Sequence, residues 1–555
     1  MKPQRLVLAA LCALAPVVSA WAATPVGGID AARMTAVVKE IASDAYEGRG
    51  PATAGETKTL AYLIKQYTSY GLQPGGDLGK DGKRAWTQDV PLGRFEIKGP
   101  VQASFDLGGK VQAVTQGDQV AIRAPMTNVD RVAIKDAPVV FAGYGVTAPE
   151  RRWDDFKGMD VKGKILLVLV NDPDFETGVG DFGGKAMTYY GRWTYKYEEA
   201  ARRGALGLFV IHETAPAAYG WATVKNSNTN AQFDIVRDKP SAAHATIEAW
   251  IQRDETVALL KQAGLDFDTL KKQAQTRAFR PALLKGVTFS TAFKVDHSVI
   301  VSHNVVAREV GAKRPDETVV YSAHWDHLGV GLPDAKGDRI YNGARDNASG
   351  TADLLELARA YGKAPRTDRS VVFLSVTAEE KGLLGSDYYG AHPLYPLAKT
   401  VADINMDMLG IWGPAHDLST SGSGQTTLQD DLTAYLKAEN RVYSQDDSPE
   451  AGHFYRSDHF SFAKVGVPAI SVHSGDDLVK GGLAAGRAAS AAFTRDRYHQ
   501  PADEWSPDWD LSGQVQDMEL VYRMGRDLAN SDRWPGWYVS SEFKAIRDKT
   551  ASERK

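Results

Sequence analysis

TVVYSAHWDHLGVGLPDAKGDRIYNGARDNASG, residues 318–350, is the stretch from which the fold is read. A β-branched run (Val319, Val320, then Tyr321) ends at His324-Trp325-Asp326, and a Gly-rich loop then leads to Asp346 just ahead of a helical pattern. Strand, loop and helix in that order build a ligand site at the mouth of an α/β sheet. His324 supplies a neutral imidazole, Asp326 stands where a carboxylate accepts the other ring N–H and fixes the tautomer, and Asp346 adds an oxygen donor. An isolated His-x-Asp carries little weight, because a histidine near a strand end usually serves only in local hydrogen bonding. Recurrence downstream changes that.

Three more strand-like runs each lead into chemistry. Residues 370–376 run into Glu379-Glu380, residues 401–404 lead to Asn405-Met406-Asp407, and residues 469–472 are followed, after a longer loop, by Tyr498-His499-Gln500-Pro501-Ala502-Asp503. Helical patterns over 351–361 and 428–440 read as crossover connections. The expected fold is therefore α/β, a mixed, mostly parallel sheet flanked by helices, with functional groups beyond the strands' carboxyl ends. His324, Asp346, Glu379, Glu380, Asp407 and His499 should converge. Five donors with one bridging carboxylate, plus one carboxylate left over, is the minimum for hydrolysis assisted by two divalent ions. Consecutive side chains at a strand end point in different directions, so one of the paired glutamates can bind metal while the other stands beside the attacking water.

The rest of the chain bounds this reading. Residues 1–23 carry Lys2 and Arg5, an apolar run over 6–18 and small residues at Ser19-Ala20 and Ala22-Ala23, the pattern of a secretory signal peptide. Export to the periplasm or beyond is the expected localisation. The single cysteine, Cys12, falls inside that segment, so no disulfide, thiol nucleophile or thiolate metal site is expected in the mature chain. Loss of Lys2 and Arg5 leaves 63 Lys+Arg against 69 Asp+Glu, formally −6. That mild, scattered acidity makes no electrostatic case for nucleic acid, and no further apolar run reaches membrane length. A chain of 555 residues exceeds one core. The expected organisation is a signal peptide (1–23), the first part of a catalytic domain (24–115), an inserted domain (116–285) and the main catalytic part (286–555). Residues 29–72 read as two helices, with Met34, Val37, Val38 and Ile41 on one face of the first and Leu60, Leu63, Ile64 and Tyr67 on one face of the second. Within 116–285 strands are expected near 139–141, 164–170 and 205–211, a helix at 197–203, and no cluster of ligand-type residues.

The combined motifs resemble those of the co-catalytic zinc peptidase family that includes secreted bacterial aminopeptidases and glutamate carboxypeptidase II. His324-Trp325-Asp326, Asp346-Asn347-Ala348-Ser349-Gly350, Glu379-Glu380 with Gly382-Leu383-Leu384-Gly385-Ser386, Asn405-Met406-Asp407 and Tyr498-His499 carry the likeness. It extends to Glu47-Gly48-Arg49-Gly50, Ser457-Asp458-His459 and Gly466-Val467-Pro468. The inserted segment resembles a protease-associated domain through Phe141-Ala142-Gly143-Tyr144-Gly145 and Lys162-Gly163-Lys164. The resemblance implies two Zn²⁺ per chain: Asp346 bridging, His324 and Asp407 on one ion, Glu380 and His499 on the other. It further implies Asp326 orienting His324, Glu379 as general base, Tyr498 at the oxyanion and a cis peptide after Asp346. His327, His453 and His459 receive no ligand role.

The implied activity is removal of N-terminal residues from peptides with a free N-terminus. A glutamate-type carboxypeptidase or dipeptidase stays open, with Arg345 and Arg456 as candidates for a substrate carboxylate. A glutaminyl cyclase, whose relatives use one zinc, and a receptor-like ectodomain, whose relatives lose ligands, fit the intact donor set less well. Oligomeric state is not legible.

Overall fold

The structure, a computed structural model, describes residues 27–422 and 425–554. The expected signal peptide lies outside the described residues. The N-terminal segment forms α1 (Ala31–Ile41) and α2 (Ala54–Ser69). Asp30 caps α1 by accepting the Arg33 N–H at 2.9 Å, and the expected face, Met34, Val37, Val38 and Ile41, is buried. On α2, Leu63 and Tyr67 are buried while Leu60 and Ile64 are only partly covered.

Two long strands organise everything that follows. β1 (Thr87–Leu107) and β6 (Ala282–Glu309) pair antiparallel along most of their length. Between them the chain lays down β2 (Arg131–Phe141), β3 (Ile165–Leu169), β4 (Gly207–His212) and β5 (Ile247–Gln252), with α3 (Trp193–Arg202) and α4 (Trp221–Asn228). After β6 come β7 (Arg314–His324), α5 (Gly350–Lys363), β8 (Arg369–Val376), β9 (Thr400–Met406), α6 (Leu428–Ala438), β10 (Ala469–Ser474) and α7 (Ser512–Asn530). Across the sheet the order is β10-β9-β7-β8-β6-β2-β3-β4-β5. β10, β9, β7 and β8 are mutually parallel, as are β2 to β5, and β6 is antiparallel to both groups.

Because β6 pairs with β8 at one end and with β2 at the other, the two parallel blocks belong to one twisted sheet. Ala103, Phe105, Val287 and Phe289, although on the long strands, pack in the core of the second block. α5 and α7 cover β7 and β8 on one face. At their contact Tyr321 on β7 stacks on Phe373 at 5.8 Å and meets the Tyr361 hydroxyl at 3.1 Å, beneath Gly525 of α7. A methyl group at Gly525 would overlap the Tyr321 hydroxyl. Helix propensity favours alanine by up to ~1 kcal/mol, but overpacking typically costs ~1–3 kcal/mol. Gly525→Ala is expected to lose about 1–2 kcal/mol in urea unfolding; an unchanged or raised midpoint would contradict this packing.

Candidate metal centre and catalytic site

The register brings the donors together. His324 lies opposite Val376, Ser322 opposite Asn405 and Asn405 opposite Ser471, so β7, β8, β9 and β10 end nearly level. Residues just past those ends therefore line one edge. Asp346 arrives from the loop before α5, across a cis Asp346–Asn347 peptide. The Asn347 amide donates to the Met406 carbonyl at 3.0 Å while its oxygen accepts the Gly350 and Met408 N–H groups, tying this loop to the end of β9. The Asp503 carboxylate accepts the N–H groups of Arg345 and Asp346 at 3.0 Å. Buried Arg49 donates to the carbonyls of Trp325, Asn342 and Gly343, joining the loop after α1 to both sides of the site. Gly343, at φ 56°, has no room for a Cβ beside the His327 ring.

His324 Nε2 stands 3.4 Å from Asp346 Oδ1, 3.4 Å from Asp407 Oδ1 and 3.9 Å from Glu379 Oε2. The other Asp346 oxygen, Oδ2, is 3.2 Å from His499 Nε2, which is 3.0 Å from Glu380 Oε2. Two donors held ~2.0–2.1 Å from one tetrahedral ion sit about 3.3–3.4 Å apart, so both groups are spaced as ligand pairs. The cluster holds Asp326, Asp346, Asp407, Glu379 and Glu380, and among the described residues the charged partners within 4 Å are imidazoles alone. Carboxylates gathered in so dry a place need positive charge among them. The donor set fits divalent ions.

Asp326 stands behind His324, where its backbone carbonyl (3.2 Å from Nδ1) is nearer than its carboxylate (3.7 Å). That carboxylate accepts the Glu379 N–H at 3.1 Å, so Asp326 fastens the end of β7 to the end of β8. Burial pushes the Asp326 carboxyl up to about 7 and Glu379 well above the usual range. For Glu380 burial acts in the same direction, but His499 and His327 outweigh it and hold it well below. His499 goes up to about 10: burial opposes protonation, and Glu380 and Asp346 favour it more strongly. Metal entry must displace these protons.

Two neighbours of the donor cluster carried no readable signal in the sequence. His327, fully buried, puts Nδ1 2.5 Å from Glu380 Oε1 and its ring edge-on to His499 at 5.7 Å. Its donor atoms group with those of Asp346 and Glu380, a second candidate set beside His499. Ser227, on α4, lies 2.8 Å from His499 Nδ1. Of the candidate anion binders, Arg345 is committed to the Leu409 and Met408 carbonyls and lies over Trp412, whereas Arg456 donates to the Ala217 carbonyl and lies over the Tyr219 ring.

Two cavities meet at Glu379, Arg456, Tyr498 and His499. One, of about 290 Å³, runs towards the β2–β5 block past Arg192 and His244; the other, of about 240 Å³, runs past Asp446, Asp447, Asp476 and Arg345. His244 is clamped between Asp234 (3.0 Å) and Glu248 (2.9 Å). Burial works against its proton, yet the two carboxylates raise it to about 9. Its folded value lies above its unfolded one, so its stabilisation is complete below about pH 6.5 and lost as pH rises through about 9. His244→Gln is expected to cost at most about 3 kcal/mol at pH 6 and much less at pH 10; equal unfolding shifts at both would refute the clamp.

The chain is therefore an α/β protein: a mostly parallel, helix-flanked sheet with a candidate metal centre beyond its carboxyl edge. Residues 304–522 match the model of Peptidase family M28, which bears out the resemblance carried by the motifs. The solved aminopeptidase from Aneurinibacillus sp. strain AM-1 shares the fold, with a TM-score of 0.56 at 20% identity over 92% of this chain and 97% of that one. Among curated proteins, Aminopeptidase YwaD of Bacillus subtilis is 30% identical over 183 residues, 32% of this chain and 36% of that protein. The Probable lipoprotein aminopeptidase LpqL of Mycobacterium tuberculosis is 24% identical over 367 residues, 63% of this chain and 59% of that protein. The chain thus matches between about a third and three-fifths of these relatives' length. Among the described residues no helix is long and apolar enough to cross a membrane.

Proposed function

We propose that the chain is a zinc aminopeptidase that uses two ions. The observation carrying this reading is the pair of Asp346 oxygens facing different histidines, Oδ1 towards His324 and Oδ2 towards His499. His324 and Asp407 would complete one centre, His499 and Glu380 the other, with His327 holding the second Glu380 oxygen. When bound, such ions lower the pKa of the attacking water and polarise the scissile carbonyl.

The chain's own groups do the rest. Glu379 takes the proton of the attacking water and returns it to the departing amine; its burial raises the carboxyl towards the range a general base needs. Tyr498, bordering both cavities, presents its hydroxyl to the oxyanion as the carbonyl becomes tetrahedral. Asp326 keeps His324 Nδ1 occupied so that Nε2 faces the site. In the 240 Å³ cavity Asp446 faces His453 at 3.4 Å and Asp447 pairs with Arg487, so Asp476 is the carboxylate that suits a free α-ammonium, which supports an exopeptidase acting at N-termini. Export, read from residues 1–23, would place the reaction outside the cytoplasm.

One observation favours a second reading, a glutamate-type carboxypeptidase or dipeptidase. Arg192 lines the 290 Å³ cavity and Arg456 both cavities, and among the described residues the Nε of each is buried without a hydrogen-bond partner. Aminoacyl anilides and short peptides, with free or acetylated N-termini and free or amidated C-termini, separate the two, with zinc content measured on the same samples. Hydrolysis that requires the free amine supports the first reading; hydrolysis that ignores it and requires the free carboxylate overturns it.

A further inference from the structure

The two histidines of the proposed centre are held in different ways. His324 Nδ1 finds its acceptor within its own loop, at Asp326. His499 Nδ1 instead lies 2.8 Å from Ser227 Oγ, 272 residues away on α4, in the segment that β1 and β6 enclose. The same helix grips the backbone: Asn226 Nδ2 donates to the His499 carbonyl at 2.9 Å, and Thr223 Oγ1 to the Tyr498 carbonyl at 3.4 Å. His499 needs such support, because it sits at φ 55°, a left-handed conformation that a non-glycine residue rarely adopts. The helix itself is anchored to the turn before the short strand Val120–Ile122, which pairs with β5: Trp221 Nε1 donates to the Gly117 carbonyl at 2.9 Å.

We infer that Ser227 is a positioning residue for metal binding, through which the segment between β1 and β6 completes the second centre. This rests on the reading of His499 as a ligand through Nε2. That mode places the ring proton on Nδ1, so Nδ1–H donates and the Ser227 hydroxyl accepts, fixing both tautomer and ring orientation. The enclosed segment thereby acts on ligation itself as well as shaping the 290 Å³ cavity.

The test is zinc titration of the metal-free full-length chain against a competing chromophoric chelator, with thermal unfolding of the metal-free forms alongside. Wild type is expected to bind two ions. Ser227→Ala should weaken one of them about 10- to 100-fold and leave the other within about threefold, with little change in the metal-free melting temperature. Ser227→Thr, which keeps the hydroxyl, should restore the weakened site; Ser227→Val, nearly its isostere, should not, and this pair decides the matter should alanine fold poorly. Two ions bound equally well by wild type, Ser227→Ala and Ser227→Val overturn the inference alone. A wild type that binds a single ion overturns the two-ion reading and the inference with it.

Discussion

Asp346→Ala is expected to reduce kcat/KM about 10⁴-fold, the equivalent of ~5 kcal/mol of transition-state stabilisation, and to lower the zinc content from two ions per chain to one or none. No other substitution in the site should do as much, because Asp346 is the residue whose two oxygens face both histidines, at 3.4 and 3.2 Å. Its removal also leaves the N–H that donates to Asp503 on a loop with less reason to hold its place. Asp346→Asn tests the same point with less change of shape: it keeps the volume and one oxygen but cannot bridge as an anion. If either variant retained two tightly bound ions and appreciable turnover, Asp346 would not be the bridge.

Glu379→Gln should lose about 10²–10⁴-fold in kcat, the usual contribution of a positioned acid–base group, while both ions stay bound and KM changes little. The side chain is 10% exposed and approaches His324 Nε2 only to 3.9 Å, further than Asp346 and Asp407 do. It is therefore the carboxylate of the cluster best placed to stand free beside the reacting water. The variant should also lose the acid limb of the kcat–pH profile, since glutamine carries no titrating proton. Near-wild-type turnover with two ions bound would remove Glu379 from the proposed mechanism. The two substitutions give opposite metal readouts, which separates loss of ligation from loss of proton transfer.

The catalytic half of the fold was legible because its signals are local. β-branched runs such as Val319-Val320-Tyr321 and Val371-Val372-Phe373 favour pleated, doubly buried backbone. Three of the four runs are followed within a few residues by donor side chains, so the sheet's carboxyl edge was readable before its strand order. Asn347 was legible through the motif that follows Asp346 and Gly343 only as a residue; what they contact, Met406 and the ring of His327, depends on how the loop folds back. His327 lies one residue beyond Asp326, yet no spacing rule assigns it to Glu380. Arg49 could be recognised within a turn; that it donates to carbonyls nearly 300 residues away could not. Where one block passes into the other is not a local signal, because β1 and β6 run through both, their pairing shifting register between Ala292 and Lys294.

Taken alone, the sequence determined the chemical types: a mixed, mostly parallel α/β sheet, the acids and imidazoles past its strand ends, and the family those motifs resemble. Hydrophobic periodicity and donor identity are properties of neighbours along the chain, and they survive without coordinates. Only the tertiary structure decided which oxygen faces which histidine, and that His499 leans on Ser227 from across the molecule. Such contacts form when closure of long loops brings remote side chains within about 3 Å, and no local pattern of residues encodes that outcome.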